Sequence, residues 1–205
     1  MDHINGVATP DGAPEAWADA LPRPGADIEA AEAAVRALIG ALGLDLGAEA
    51  RRHTPGRVAR ALAEMTTPRP FTPTTFPHHG DDDQAVVVRD IAFQSVCEHH
   101  LLPFSGRAHV GYVPGARIIG ISKLPRMVDA CARGPQVQER LTRDIADWIE
   151  RVLEPRGVGV VVEATHMCMV ARGVRQAGST TVTRVLRGAM RDPLMSSDLH
   201  SGAAQ

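Results

Sequence analysis

Residues 157–170 have the sequence Gly-Val-Gly-Val-Val-Val-Glu-Ala-Thr-His-Met-Cys-Met-Val, and this stretch decides the fold class. Its β-branched residues follow a glycine, which predicts a long strand over 157–170. Other strands are predicted over 85–93, 106–113, 117–121 and 179–186, and helices over 26–42, from Thr54-Pro55 onward, over 124–132 and over 135–153. Helices inserted among strands that are otherwise joined as hairpins favour an α+β fold with an antiparallel sheet.

The chain divides into four stretches around this sheet. Residues 1–25 are rich in proline, glycine and aspartate, which predicts a mobile arm. A helical segment and a proline-rich loop cover 26–84, the catalytic domain covers 85–190, and a tail covers 191–205. The loop part, 66–84, contains a His-His-Gly-Asp-Asp-Asp run that nothing in the sequence holds in a fixed geometry, so we expect a solvated loop rather than a metal site.

Composition excludes several functional classes. The 205 residues carry a net charge of −2, and only 3% are aromatic, so the chain offers neither a basic field nor a base-stacking surface for nucleic acid. No apolar run approaches the roughly twenty residues that span a bilayer, and the first residues lack a secretory signal. The three cysteines are too few for a disulfide framework. We therefore expect a cytoplasmic protein that binds neither nucleic acid nor membrane.

Two clusters carry metal-binding chemistry. In Cys97-Glu98-His99-His100 the first and last residues lie three apart, so one helical turn directs both side chains to the same face. In the predicted strand, His166 and Cys168 lie two apart and also share a face. Thiolate and imidazole ligands favour zinc.

The number of ligands would decide the type of zinc site. Cys97, His100 and Cys168 together leave the fourth tetrahedral position for water, as in catalytic zinc sites, and His99 and His166 then remain for proton transfer. One alternative is a closed structural zinc site that uses four of these five residues. A second, separate alternative is that His99 is simply a packed helix residue. Cys131 lies on the face of a predicted helix with Met127 and Val128, and we interpret it as a core residue.

Anion-binding candidates surround the segment 120–126, which joins a strand to the start of a helix. Lys123, Arg126 and that helix N-terminus favour a phosphate, and Arg172 and Arg57 are further candidates. For any one of these cations, ordinary surface charge is the alternative. Glu139, in the first turn of a helix, either complements the helix dipole or accepts two adjacent donors such as N1–H and the 2-amino group of guanine.

These segments together resemble the GTP cyclohydrolase I family. The resemblance extends from about residue 26 to 188 and rests on matching stretches in the same order, namely 54–59, 95–100 with Pro103-Phe104 and Gly106, 120–126, 136–142, and 163–169 with Arg172-Gly173. It implies zinc ligands at Cys97, His100 and Cys168, and an acid/base pair of His99 and His166. Glu139 would then anchor guanine with Gln138 near the base and sugar. The sugar-triphosphate end would be met by Ser122, which we count with the catalytic residues, and by Lys123, Arg126, Arg172 and Arg57.

The resemblance also implies a fold, a reaction and an assembly. The fold is the tunnelling fold, a four-stranded antiparallel sheet with two helices on one face, preceded by N-terminal helices. Zinc-dependent opening of the imidazole ring of GTP would release formate and yield 7,8-dihydroneopterin triphosphate for folate or other pterin synthesis. Subunits would join sheet edges into a pentameric barrel, and two pentamers would form a homodecamer with sites at subunit interfaces. We expect Arg57 or Glu139 to act across such an interface. This chain departs from the family pattern at Gly134, in the 66–84 loop and after Gly188.

Two other functions remain compatible with the sequence. The first is a related cyclohydrolase of the same fold, acting on a purine nucleotide in a deazapurine or other pterin pathway. The second is a zinc-stabilised binding module without turnover. Nitrile reductases of this fold lack the zinc histidine pair that Cys97-Glu98-His99-His100 provides here.

Overall fold

A computed structural model describes residues 25–67, 69, 71–80 and 84–199. The predicted arm, apart from Gly25, and the end of the predicted tail lie outside the described residues. The helices are α1 (Ile28–Ala41), α2 (Ala48–Thr66), α3 (Lys123–Ala132), α4 (Gln138–Leu153), α5 (Met167–Val170) and α6 (Pro193–Ser196). The strands are β1 (Thr75–Pro77), β2 (Val86–Cys97), β3 (Pro103–Val113), β4 (Arg117–Ile119), β5 (Pro135–Gln136), β6 (Gly157–His166) and β7 (Thr181–Gly188).

The main sheet has the strand order β5-β2-β3-β6-β7. Strands β2, β3, β6 and β7 pair antiparallel, while the two-residue β5 pairs parallel with the end of β2. Strands β1 and β4 form a separate antiparallel pair. The predicted α+β class with an antiparallel sheet is confirmed.

Helices α3 and α4 cover one face of the sheet and bury its core. Leu141, Ile145 and Ile149 recur at helical spacing along α4 and are fully buried. They pack in the same cluster as Phe104 and Val160 from the sheet. Burying each such side chain contributes roughly 1.5–3 kcal/mol, so this face fixes α4 firmly against β6 and β7.

Residues 189–199 partly cover the opposite face of the sheet. Met190 and Leu199 are fully buried and pack with Val113 and Val161. The described part of the predicted tail therefore contributes to a second, smaller core. No helix among the described residues is long and apolar enough to cross a bilayer.

Helix α2 begins at Ala48, so the predicted start at Thr54-Pro55 is wrong. The residues before Thr54 are mostly good helix formers, which lets the helix begin a turn and a half earlier. Pro55 inside the helix has no N–H to donate to the carbonyl four residues before it. Pro55 and Gly56 are both buried, and a Cβ on Gly56 would lie 2.7 Å from Oε2 of the Glu32 side chain of α1.

The strand predicted over 157–170 ends at His166, and residues 167–170 form the single helical turn α5. The last pair between β3 and β6 is Phe104 with His166. Beyond it, β3 begins with Pro103, which has no N–H for the ladder, and the chain turns away. The strand predicted over 179–186 lies two residues later, and the predicted 66–84 loop includes β1.

Candidate metal centre

The first two candidate ligands lie on a tight turn at the end of β2. Residues 98–100 form this turn, which is closed when the Leu101 N–H donates to the Cys97 carbonyl at 2.8 Å. Leu101 adopts a positive φ of 53° to reverse the chain. The turn brings His100 Nδ1 to 3.6 Å from Cys97 Sγ. The sequence placed these residues on a helical turn, and the turn observed here gives the same proximity.

The third candidate ligand, Cys168, arrives from α5. Because β6 ends opposite Phe104, the following turn folds back towards the end of β2. The potential ligand atoms of Cys97, His100 and Cys168 all lie within 4.8 Å of one another. The argument that His166 and Cys168 share a strand face is wrong, because α5 rather than a strand positions Cys168.

The electrostatics of the cluster reflect two crowded thiols. Burial raises the pKa of Cys168, the neighbouring Cys97 raises it further, and Arg172 acts in the opposite direction. A cation shared with Cys97 would offset this effect, because it stabilises the thiolate form of Cys168. The donor set therefore fits a borderline-soft divalent metal such as zinc.

The group has three members within the described part of the chain. His99 Nδ1 lies 4.0 Å from Cys97 Sγ, but His99 does not join the group. Three protein ligands fit a site with an open coordination position better than a closed structural site. Cys131 packs against the main core, and burial raises its pKa to about 12, which confirms its interpretation as a core residue.

His166 is held on two sides beside this group. Its Nε2 lies 2.7 Å from Gln138 Oε1, and its ring stacks on Phe104 with a centroid distance of 4.5 Å. The Gln138 amide nitrogen faces the carbonyl oxygens of Val162 and Thr181, each at 3.0 Å, so the amide oxygen faces His166. An amide oxygen only accepts, and His166 therefore carries its hydrogen on Nε2 and leaves Nδ1 as the acceptor when the ring is neutral.

The remaining predicted residues fall into two sets. Glu139 and Arg172 lie close enough to act on the site electrostatically, because Glu139 raises the pKa of His166 against the larger lowering by burial. Ser122 is the N-cap of α3, Lys123 donates to the Thr72 carbonyl at 3.0 Å, and Arg126, on the first turn of α3, is exposed. Arg57 pairs with Glu49 at 3.1 Å within α2 rather than with a residue of the metal group.

Sequence reasoning assigned no role to several residues that shape the site. Phe104, buried in β3, forms the stacking surface for His166. Arg140 Nη2 lies 2.6 Å from Glu98 Oε2 and so links α4 to the turn at residues 98–100, which follows Cys97. Neither contact follows from local spacing, because each joins segments that only the sheet and α4 bring together.

Fold and donor set together define an α+β protein with a candidate zinc centre of the open, three-ligand type. The family described as GTP cyclohydrolase I matches residues 31–202. A GTP cyclohydrolase 1 of Streptomyces griseus is 52% identical over 174 residues, which cover 82% of this chain and 86% of that protein. One of Aquifex aeolicus is 50% identical over 162 residues, covering 79% and 88%.

The chain belongs to the GTP cyclohydrolase I family, and it is an enzyme of that class. A solved structure of archaeosine synthase QueF-Like in the apo form is 21% identical, with a TM-score of 0.44 over 53% of this chain and 98% of that one.

Proposed function

We propose that the protein uses zinc to open the imidazole ring of the guanine of GTP, releases formate, and completes the rearrangement to 7,8-dihydroneopterin triphosphate. The net reaction consumes one water per GTP. The observation that carries the proposal is the convergence of Cys97, His100 and Cys168 beside a fixed histidine, in a chain of the GTP cyclohydrolase I family.

The three clustered residues would hold the zinc ion through two sulfur atoms and one imidazole nitrogen. When bound, zinc lowers the pKa of a coordinated water to about 7 and so supplies a hydroxide-like nucleophile at neutral pH. His100 is exposed and Cys168 is partly exposed, which leaves one side of the group accessible to a substrate.

The two remaining histidines would move the protons of the reaction. The hydrogen on His166 Nε2 is committed to Gln138, so Nδ1 exchanges a proton with the purine or with the attacking water. Stacking on Phe104 keeps the ring plane fixed and lowers the cost of orienting it. His99 is exposed beside Cys97, with its Nε2 3.9 Å from Glu98 Oε1, and would act as the second acid/base group.

Substrate recognition would begin at the first turn of α4. Glu139 is exposed there, next to His166, and its carboxylate fits the N1–H and 2-amino donors of guanine. Arg172, beside Cys168, would meet the negative charge of the triphosphate with Ser122, Lys123 and Arg126.

We further propose assembly into pentamers and a decamer, with Arg57 acting from a neighbouring subunit. Two features of the single chain support this. Strand β7 is an edge of the main sheet with Val182 53% exposed, and exposed apolar edges favour pairing with another chain. Helix α1 has no buried residue, and its Leu38 is 55% exposed. Light scattering after size-exclusion chromatography measures the assembly, and a monomer would contradict this part.

Incubation of the zinc-loaded protein with GTP tests the reaction through formate release and through pterin fluorescence after oxidation. Cys168→Ser should lose zinc and both signals, whereas the matched variant Cys131→Ser should keep zinc and turnover. His166→Ala should keep zinc and lose ring opening. Zinc binding without formate release by the wild-type chain would instead indicate a binding module.

A further inference from the structure

The first turn of α4 contacts both segments that supply the metal group. Gln138 points to the end of β6, where it holds His166, two residues before Cys168. Arg140 points the other way, to Glu98 on the turn that follows Cys97. Side chains two positions apart on a helix diverge by about 200°, which lets one turn reach two strands at once.

Arg140 makes three hydrogen bonds, one to the turn at residues 98–100 and two to β5. Its Nε donates to Gln136 Oε1 at 2.8 Å, and its Nη2 donates to Glu98 Oε2 at 2.6 Å and to the Pro135 carbonyl at 2.9 Å. The planar guanidinium thus joins the side chain of Glu98 to both residues of β5. An isolated exposed ion pair contributes little, but a guanidinium with three fixed acceptors is oriented by all of them.

The turn is also attached through its backbone at the same place. The Glu98 N–H donates to the Gln136 carbonyl at 3.1 Å, next to the pair of Cys97 with Gln136 between β2 and β5. The main chain of Glu98 is therefore bonded directly to β5, and its side chain is bonded to Arg140, which itself bonds both residues of β5. Because Glu98 lies between Cys97 and His100, these two attachments restrict the relative position of the two ligands.

We propose that Arg140 is a positioning residue that acts through Glu98 to hold Cys97 and His100 in the arrangement that receives the metal. The inference rests on the proposed zinc centre but not on turnover. Without the Arg140–Glu98 pair, the turn at residues 98–100 samples other conformations, and only a fraction of molecules is ready to bind the metal. The apparent affinity for zinc falls by that fraction. Groups that orient metal ligands from the second layer typically change metal affinity by about 10- to 100-fold when removed.

The test measures the zinc dissociation constant of the full-length protein by competition with a chromogenic chelator, and follows kcat and KM for GTP at saturating zinc. The variants are Arg140→Met, Arg140→Lys and Glu98→Gln, and the control is Arg107→Met. Arg107 also forms an ion pair, with Asp90 at 3.7 Å, but both side chains are more than half exposed, and Asp90 lies in the bulge of β2 between Val88 and Ile91.

We expect Arg140→Met and Glu98→Gln each to weaken zinc binding about 10- to 100-fold, and Arg107→Met to leave it unchanged. Arg140→Lys should also weaken it, because an ammonium cannot reproduce the fork of the guanidinium. The Arg140→Met/Glu98→Gln double variant should bind zinc no more weakly than Arg140→Met alone, since both changes act on the same ion pair. In Arg140→Met, saturating zinc should restore most of kcat with little change in KM; Glu98→Gln is compared by zinc affinity alone, because Glu98 also lies 3.9 Å from His99.

Zinc affinity of Arg140→Met equal to that of Arg107→Met would overturn the inference, as would fully additive losses in the double variant. If Arg140→Met does not fold, Glu98→Gln decides alone, because its amide keeps the size of the side chain and removes the charge that pairs with the guanidinium. Unchanged zinc affinity of Glu98→Gln would then overturn the inference. Zinc binding without GTP turnover in the wild type would contradict the proposed reaction, and the affinity comparison would still decide the role of Arg140.

Discussion

Replacing Gln138 by methionine should both destabilise the fold and impair catalysis. The side chain is 2% exposed, and its two amide N–H groups are shared among Val162 O, Thr181 O and Thr183 Oγ1 at 3.0–3.1 Å, while its oxygen lies 2.7 Å from His166 Nε2. Methionine matches the length of glutamine but makes none of these contacts. The two amide N–H groups and the amide oxygen account for three hydrogen bonds. Losing them at about 1 kcal/mol each gives a destabilisation of about 3 kcal/mol.

Urea unfolding at matched protein concentration, followed by circular dichroism, measures this loss, and Gln176→Met is the matched control because Gln176 is exposed. Activity should fall as well, because His166 loses the partner that fixes its ring. A misplaced catalytic group costs about 100-fold, and we expect kcat to fall by that order with zinc still bound. A Gln138→Met protein that unfolds with the control and turns GTP over at the wild-type rate would refute the reasoning.

Two further predictions concern positions in β3. Tyr112 is the single tyrosine of the chain, and burial raises its pKa above 10.0. In an absorbance titration, the phenol should therefore ionise at a higher pH in the folded protein than in the urea-unfolded chain. The neutral phenol is then a stabilising group below the unfolded pKa, and its contribution should decline as pH rises through the folded pKa; identical titrations of both states would contradict this. Gly106→Ala should cost more than about 3 kcal/mol, because its Cβ would lie 1.8 Å from the Glu163 carbonyl oxygen, whereas Gly40→Ala has nothing within 4 Å and should be neutral or stabilising in a thermal melt. Equal melting temperatures for the two variants would refute this account of the packing.

Local pattern predicted the elements more reliably than their ends. The valine-rich stretch at 157 forms a central strand, and the apolar spacing of Leu141 and Ile145 marks the buried face of α4. Where a strand or helix ends depends on the neighbouring elements in the fold, and the spacing of apolar residues along the sequence does not reveal these neighbours. His166 ends β6 where Pro103 ends the neighbouring strand, and α2 continues through Pro55, which is buried.

The candidate site divides in the same way. Cys97 and His100 are close because of a single turn, which sequence spacing anticipates. Cys168 reaches them through α5, so its position was expected for a partly wrong reason. The contacts of His166 with Gln138 and Phe104 join α4, β6 and β3, and no spacing within one segment encodes them.

The candidate metal ligands lie on two segments that are separated in the sequence by β3, β4, β5 and β6 and by the two helices α3 and α4. A chain still emerging from the ribosome exposes Cys97 and His100 long before α5 has been synthesised. Until then it can offer an ion only two of three donors, so tight capture of the metal has to follow translation of β6. Binding of zinc at the proposed centre would thereby be a late event, completed only after β2 and β6 have come together in the sheet.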